Sequence, residues 1–289
     1  MMPHAVGILA TGLAALLYFC VPGAAQDQHA GETPIMSQCL AMAQALPGAA
    51  YASLTPATRA APQFQPVSLD KQTVRLTFVD HSTFLIESPH GVTAATDYAG
   101  WAGEGVTPRI VTMNKAHPSH YTSNPDPEIE YVLRGWSPEG GPAKHAVIVD
   151  DVYIRNVTTD IRSGFDMESG MEKDGNSIFV FEIANLCIGH LGHLHHTLTD
   201  RHFAAIGRLD ILMVPVDGGL TLSHSRMSEI TKRLRSSIVL PMHRQGPPVQ
   251  NFINMMGSEY AVERRSEPYI DVSPETLPRR PTIIVLQGM

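Results

Sequence analysis

After residue 71 the chain alternates apolar and polar positions in short runs, and a two-residue period predicts β-strands. Val74-Arg75-Leu76-Thr77-Phe78 is the first such run. Segments 83–87 and 92–96 read as a second and a third strand, and 109–113 as a short apolar one that leads straight into Asn114-Lys115-Ala116-His117. Segments 146–149 and 152–157 form a predicted hairpin around Asp150-Asp151. Segments 177–183 and 186–188 form another, turning at Ala184-Asn185. Segments 210–216 and 237–241 are apolar throughout, as strands covered on both faces are. Helical periodicity falls between the later strands, over 199–206, from Ser223 or Ser225 to Leu234, and near 249–256, with a last strand at 282–286. Hairpins first, then alternating strand and helix, predict a sheet-rich α/β core with helices outside. The Pro-rich stretch 246–289 is expected to pack at an edge or to form a flap over a substrate.

Upstream the pattern changes. Residues 5–25 are almost all apolar or small and end in Pro22-Gly23-Ala24-Ala25, before the polar run Gln26-Asp27-Gln28. Gly23 and Ala25 suit a cleavage point, so 1–25 is expected to be a signal peptide. No Lys or Arg precedes the apolar stretch, which leaves an uncleaved anchor as the rival reading. No other segment reaches the ~20 apolar residues that span a bilayer. The expectation is therefore a periplasmic or secreted protein with no stable membrane span once the signal is removed. Residues 26–70 are expected to hold one helix at 36–46 and an extended Ala-, Pro- and Gln-rich arm. Residues 71–289 form the main domain.

Composition narrows the function. A formal net charge of −7 disfavours nucleic-acid binding, which needs a basic surface. Cleavage after Ala25 would leave Cys39 and Cys187. An oxidising compartment permits them to pair, but the apolar run around Cys187 favours a small buried hydrophobe.

The chain has 14 histidines, and they cluster. His190, His193, His195 and His196 form one group, His117 and His120 another, and His243 stands alone in Leu240-Pro241-Met242-His243. All follow predicted strands, where a rigid sheet can aim side chains at a common point. The spacing of three within 117–120 and within 190–193 brings two rings together through a tight turn. Imidazole is the commonest metal ligand near neutral pH. A catalytic zinc takes about three protein ligands and a water, whose pKa it lowers to about 7. Any one histidine at a strand end is more often an ordinary hydrogen-bonded residue; the joint pattern carries the inference.

Several stretches resemble a known superfamily. The run Phe78-Val79-Asp80-His81-Ser82-Thr83-Phe84-Leu85-Ile86-Glu87 resembles the opening hairpin of the metallo-β-lactamase superfamily. Residues 115–120 stand where that fold carries H-x-H-x-D-H. Gly175-Asn176-Ser177-Ile178-Phe179 resembles a strand entry of its ascorbate-6-phosphate lactonase-like branch. His190-Leu191-Gly192-His193-Leu194 resembles that branch's H-L-G-D-L, and Pro241-Met242-His243 its late P-M-H ligand. The resemblance implies an α/β fold, a metallo-β-lactamase-like αββα sandwich, and a metal-dependent hydrolase acting on a small-molecule lactone, amide or phosphoester, which the 1–25 stretch would make an exported one. It implies His117, His120, His190, His193 and His243 as metal ligands, for one or two Zn2+ ions or another divalent transition metal.

The departures are as informative. Lys115 takes the first histidine position, Ser119 the aspartate position, and His193 that of the aspartate bridging two metals. Lys115 is a candidate catalytic base or anion holder, or a side chain turned to solvent. Asp160 is a candidate orienter of a ligand imidazole, or a turn residue. Asp97 is read the same way, Asp217 as a turn residue, and His81 as equally suited to site, core or surface. The losses at 115 and 119 also permit a catalytically degenerate metal-binding or scaffold protein, and the histidine-rich set permits a redox metalloprotein.

Overall fold

The computed structural model describes Met1, 37–40, 72–162, 170–246 and 248–289. Beyond Met1, the expected signal peptide lies outside these residues. So does the 26–70 segment apart from 37–40, of which 38–40 are helical. No helix among the described residues is long and apolar enough to cross a membrane.

Two sheets make the frame. In chain order the strands are β1 (Val74–Asp80), β2 (Thr83–Glu87), β3 (Thr93–Ala95), β4 (Ile110–Met113), β5 (Tyr131–Arg134), β6 (Ala146–Val149), β7 (Val152–Arg162) and β8 (Met171–Ile183). After β9 (Leu186–His190) come α1 (Asp200–Ile206), β10 (Ile211–Pro215), α2 (His224–Leu234), β11 (Ile238–Met242) and α3 (Val249–Met256). The chain closes with β12 (Ala261–Arg264), β13 (Tyr269–Val272) and β14 (Thr282–Val285). The first sheet has the order β13-β1-β2-β3-β4-β5 and the second β12-β14-β11-β10-β9-β8-β7-β6.

Strand alternation sorts the side chains into layers. Leu76, Phe84, Ile86, Ala94 and Ile110 of the first sheet share one buried cluster with Ile154, Phe179, Phe181, Met213 and Leu240 of the second. Their neighbours point the other way. Ala95, Val111 and Met113 pack under Tyr98, Ala102 and Ile129 from the connecting loops. Ile178, Val180, Leu212, Val214 and Val239 pack under Ile206, Met227, Ile230, Phe252 and Met256 of the three helices. Among the described residues the helical layer thus covers the second sheet, and loops cover the first. Burying each large aromatic here, such as Phe179 or Phe252, contributes about 2 kcal/mol.

Cys39 and Cys187 form a disulfide, where the sequence alone favoured a plain buried thiol for Cys187. The contacts around 37–40 explain the pairing. Glu182 accepts the amides of Gln38 at 2.9 Å and Cys39 at 3.4 Å, and it accepts the Ser37 hydroxyl. The amide of Arg208 donates to the Cys39 carbonyl at 3.1 Å. The stretch 246–289 takes edge positions rather than forming a flap: β13 borders β1, and β12 ends the second sheet beyond β14.

Strands β9, β10 and β11 are mutually parallel, so the segments after them leave at one edge. The amide of His243 donates to the carbonyl of His81 at 2.7 Å, which brings the β1–β2 turn of the first sheet to that edge.

Candidate metal centre

Each histidine is placed by the backbone that precedes it. The turn Asp80-His81-Ser82-Thr83 shows how. The Asp80 carboxylate accepts the His81 amide at 2.9 Å and helps hold His81 at φ 45°. Thr83 donates to the Asp97 carbonyl at 3.0 Å, and the Ser82 carbonyl accepts Thr96 Oγ1 at 3.1 Å. Asp97 has φ 41° and His243 φ 62°. A residue other than glycine in the left-handed region costs about 1–3 kcal/mol and persists where its surroundings fix it. Three such residues meet here.

His117 and His120 follow β4 in a tight turn, closed by the His120 amide donating to the His117 carbonyl at 2.9 Å. Asn114 anchors that turn to both sheets. Its Nδ2 donates to Asp97 Oδ1 at 2.9 Å, and its Oδ1 accepts the Ser177 amide at 2.7 Å. Asn176 does the same for His193, accepting its amide at 2.9 Å. Gly192, at φ 61°, lies between the two asparagines; a Cβ there would stand 2.4 Å from Asn114 Nδ2 and 2.5 Å from Asn176 Oδ1.

The rings converge. Ligand atoms of His81, His117, His120 and His243 all lie within 4.8 Å of one another. His120 Nε2 is 3.1 Å from His243 Nε2 and 2.9 Å from His193 Nδ1. The ring of His81 lies 3.9 Å from that of His243, centroid to centroid. The ring of His193 is 4.9, 4.6 and 4.7 Å from those of His117, His120 and His243. Two carboxylates stand behind. Asp97 Oδ2 is 2.6 Å from His120 Nδ1, and Asp217 Oδ2 is 3.0 Å from His243 Nδ1. Asp217 also accepts the Gly219 and Thr221 amides, so it is both the turn residue read from sequence and an orienter.

Burial sets the electrostatics. It is the main cause lowering His81 to about 3 and His117 to about 4, with neighbouring imidazoles adding to it. His193 is pushed well below the usual imidazole range for the same reasons. His81, His117 and His193 are therefore neutral near pH 7 and present lone pairs. Burial works against ionising Asp97, but the charge interactions with His120 and then His190 outweigh it and hold the carboxyl below its ordinary value. Asp217 is likewise held low against its burial, chiefly by His243 and Thr221.

Three residues expected at the centre are not part of it. His190 is fully buried, but its Nε2 donates to the Ser82 carbonyl at 2.8 Å and its Nδ1 accepts the Gly192 amide at 3.1 Å. Both nitrogens serve the backbone, and the ring braces the β1–β2 turn. Lys115 turns outward to Glu172 at 2.6 Å, with both side chains substantially exposed, because a cation loses less beside a carboxylate in water than beside a metal. Asp160 accepts the Asp174 amide at 3.1 Å and steadies a β7–β8 irregularity instead of a ligand. Ser119 holds His117, Oγ to Nδ1, at 2.8 Å. His195, beside His193, uses both nitrogens on backbone, the Arg162 amide and the Leu220 carbonyl. Asn114 and Asn176 are the working residues that sequence reasoning did not single out, and His81, which the sequence left equally suited to site, core or surface, faces the cluster. The signal for His81 was a run of four polar residues, Asp80 to Thr83, between two strands whose buried faces tolerate none.

A family model described as the Beta-lactamase superfamily domain matches residues 75–243, from β1 to the last histidine of the cluster. The chain belongs to the metallo-β-lactamase superfamily. Among solved structures, this superfamily member is similar to a Thermotoga maritima protein named as a candidate Zn-dependent hydrolase of the metallo-β-lactamase superfamily. The two share 24% identity and a TM-score of 0.54, over 74% of this chain and 98% of that one. A Parabacteroides distasonis protein named as a candidate metal-dependent hydrolase matches at 13% identity and TM-score 0.51, over 64% of this chain and 89% of the other. Both show the fold. None of the curated proteins compared with the chain matches it.

The residues of this superfamily member fit a metal. Asp97 faces His120 Nδ1 at 2.6 Å, so that ring's proton belongs on Nδ1 and its Nε2 lone pair meets His243 Nε2 at 3.1 Å; Asp217 stands 3.0 Å from His243 Nδ1, which is buried without a well-aligned hydrogen bond. A proton on His193 Nδ1 can relieve one of the close contacts to His120, but not the one to His243. His81 Nε2 is buried with no hydrogen-bond partner. A shared cation resolves both features: ligand nitrogens about 2.0–2.1 Å from a tetrahedral zinc stand roughly 3.3 Å apart.

Proposed function

We propose that this protein is a metal-dependent hydrolase of a small-molecule substrate. The observation that carries this reading is the convergence of the ligand atoms of His117, His120 and His243, with His81, within 4.8 Å of one another, with a buried carboxylate beside His120 and another beside His243. His117, His120 and His243 would hold the ion. A divalent cation there supplies Lewis acidity and lowers the pKa of water toward neutrality.

The chain's own residues supply the rest. Asp97 and Asp217 fix the tautomer and aim of the two ligand rings, and raise their basicity. His193, neutral and buried with its ring 4.6 Å from that of His120, is the remaining imidazole of the cluster that would move a proton during hydrolysis. Asn114, Asn176 and Ser82 keep these parts from relaxing apart.

Zinc is the proposed ion, since an all-imidazole donor set suits it and disfavours Mg2+ or Ca2+. The stretches at 175–179, 190–194 and 241–243 support the lactonase-like branch, and with it lactones, amides or phosphoesters as the substrate class. The disulfide and the apolar stretch at 5–25 support export to an oxidising compartment. The test is turnover of generic lactone, amide and phosphodiester substrates by protein stripped of metal and then reloaded with zinc. Zinc-dependent turnover of one class supports the reading. Stoichiometric zinc with no turnover of any class gives the scaffold reading instead.

A further inference from the structure

We propose that His81 is itself a metal ligand, the fourth imidazole of a centre that holds one ion and not two. The inference rests on the metal-centre reading above and specifies its ligand set.

The geometry points to His81 in three ways. It is the one histidine of the cluster outside every stretch that follows a strand of the second sheet or β4, yet its ligand atom falls inside the 4.8 Å group with His117, His120 and His243. Its Nε2 is buried and makes no hydrogen bond, a condition that costs about 1–3 kcal/mol if nothing compensates. Its backbone is held at φ 45° by the Asp80 carboxylate, and its carbonyl is tied to the His243 amide at 2.7 Å. The turn thus places that ring where a solvated histidine has no reason to be. The ring of His81 lies 5.6, 5.1 and 3.9 Å from those of His117, His120 and His243, within the distance of a shared ion.

The same inventory leaves no donors for a second ion. Ser119 Oγ is on His117, and Asp97 and Asp217 are on His120 and His243. His190 and His195 have both nitrogens on backbone groups. Lys115 is a cation paired with Glu172. Beyond the four rings, the described cluster leaves His193, and one imidazole does not make a second site.

The experiment titrates metal-stripped full-length protein with Co2+, a spectroscopic stand-in for zinc, and counts bound metal after removal of excess. Wild type is expected to bind one ion per chain with the visible bands of four imidazoles and a fifth position left for water. His81→Ala is expected to bind at least tenfold more weakly, with shifted bands that added imidazole restores. His81→Gln serves as the second variant, with circular dichroism confirming that the fold is retained. His90→Ala, at an exposed histidine, is the control expected to match wild type. Wild-type affinity and bands in both His81 variants overturn the ligand assignment alone. Two ions per wild-type chain overturn the single-ion count alone. A wild type that binds no ion overturns the metal-centre reading and this inference with it.

Discussion

His81 and His243 lie in different sheets, 162 positions apart by their residue numbers (243 − 81), and are joined by one backbone hydrogen bond of 2.7 Å, with both residues in the left-handed region. That bond makes the two sheets register against each other at the metal centre. A shift of either sheet would part the rings of His81 and His243, which lie 3.9 Å apart.

Asp97→Asn tests the orienting role. The amide keeps the size and loses the charge that holds the proton on His120 Nδ1. Zinc affinity is expected to fall 10–100-fold, read by competition with a chromogenic chelator. An unchanged affinity would mean that the 2.6 Å contact does not govern the ligand.

Lys115→Ala tests the opposite case. Its ion pair with Glu172 is exposed, and such pairs contribute about 0.2–1 kcal/mol. Metal content is expected to match wild type, and kcat/KM on whichever substrate class is turned over is expected to stay within about threefold, roughly 0.7 kcal/mol. A loss of a hundredfold would return Lys115 to the reaction.

Acid should unfold the metal-free protein early. Burial lowers His81, His117 and His195 from 6.5 to about 3, 4 and 4 in the folded chain. Between those values and 6.5 the unfolded chain binds more protons, so stability rises with pH there. It is fully present above about pH 6.5 and falls as pH drops toward 4. The depressed carboxylates Asp97 and Asp217 add their loss only below about pH 4. Urea midpoints of metal-free protein from pH 7.5 to 4.5 should decline steadily; a flat profile would contradict the burial of these rings.

Gly192→Ala should be severe for a small change. The backbone at φ 61° disfavours any side chain, and the new methyl would meet Asn114 and Asn176. Strain and displacement together should cost about 2–4 kcal/mol, read as a lower urea midpoint. Metal affinity should also fall, because His193 hangs from Asn176.

Much of this was legible in the chain. Alternation from Val74 onward gave β1 and β2, and the apolar runs gave β10 and β11 with nearly their final bounds. Three strands escaped. β12 reads Ala-Val-Glu-Arg and is largely exposed, β5 is four residues at the end of a polar loop, and β13 alternates but is four residues long within the Pro-rich stretch. Of the site, the residues after strands were visible because histidines there are rare enough to notice. Which of them would be ligands was not, because that depends on the other ring nitrogen. His190 and His193 share one motif, yet the first gives both nitrogens to backbone while the second faces the cluster. Spacing cannot show where an N–H goes. His81 was left undecided between site, core and surface, since its partner in the fold is 162 positions away (243 − 81).

The border between β1 and β13 gives the His81 turn a distant support. Strand β1 leads into that turn, and Val74 pairs with Val272, 198 positions on (272 − 74). Stripped of β13, β1 would become an open edge beside the turn that carries the His81 imidazole. The aim of that ring thus depends on a strand that contributes no side chain to the cluster.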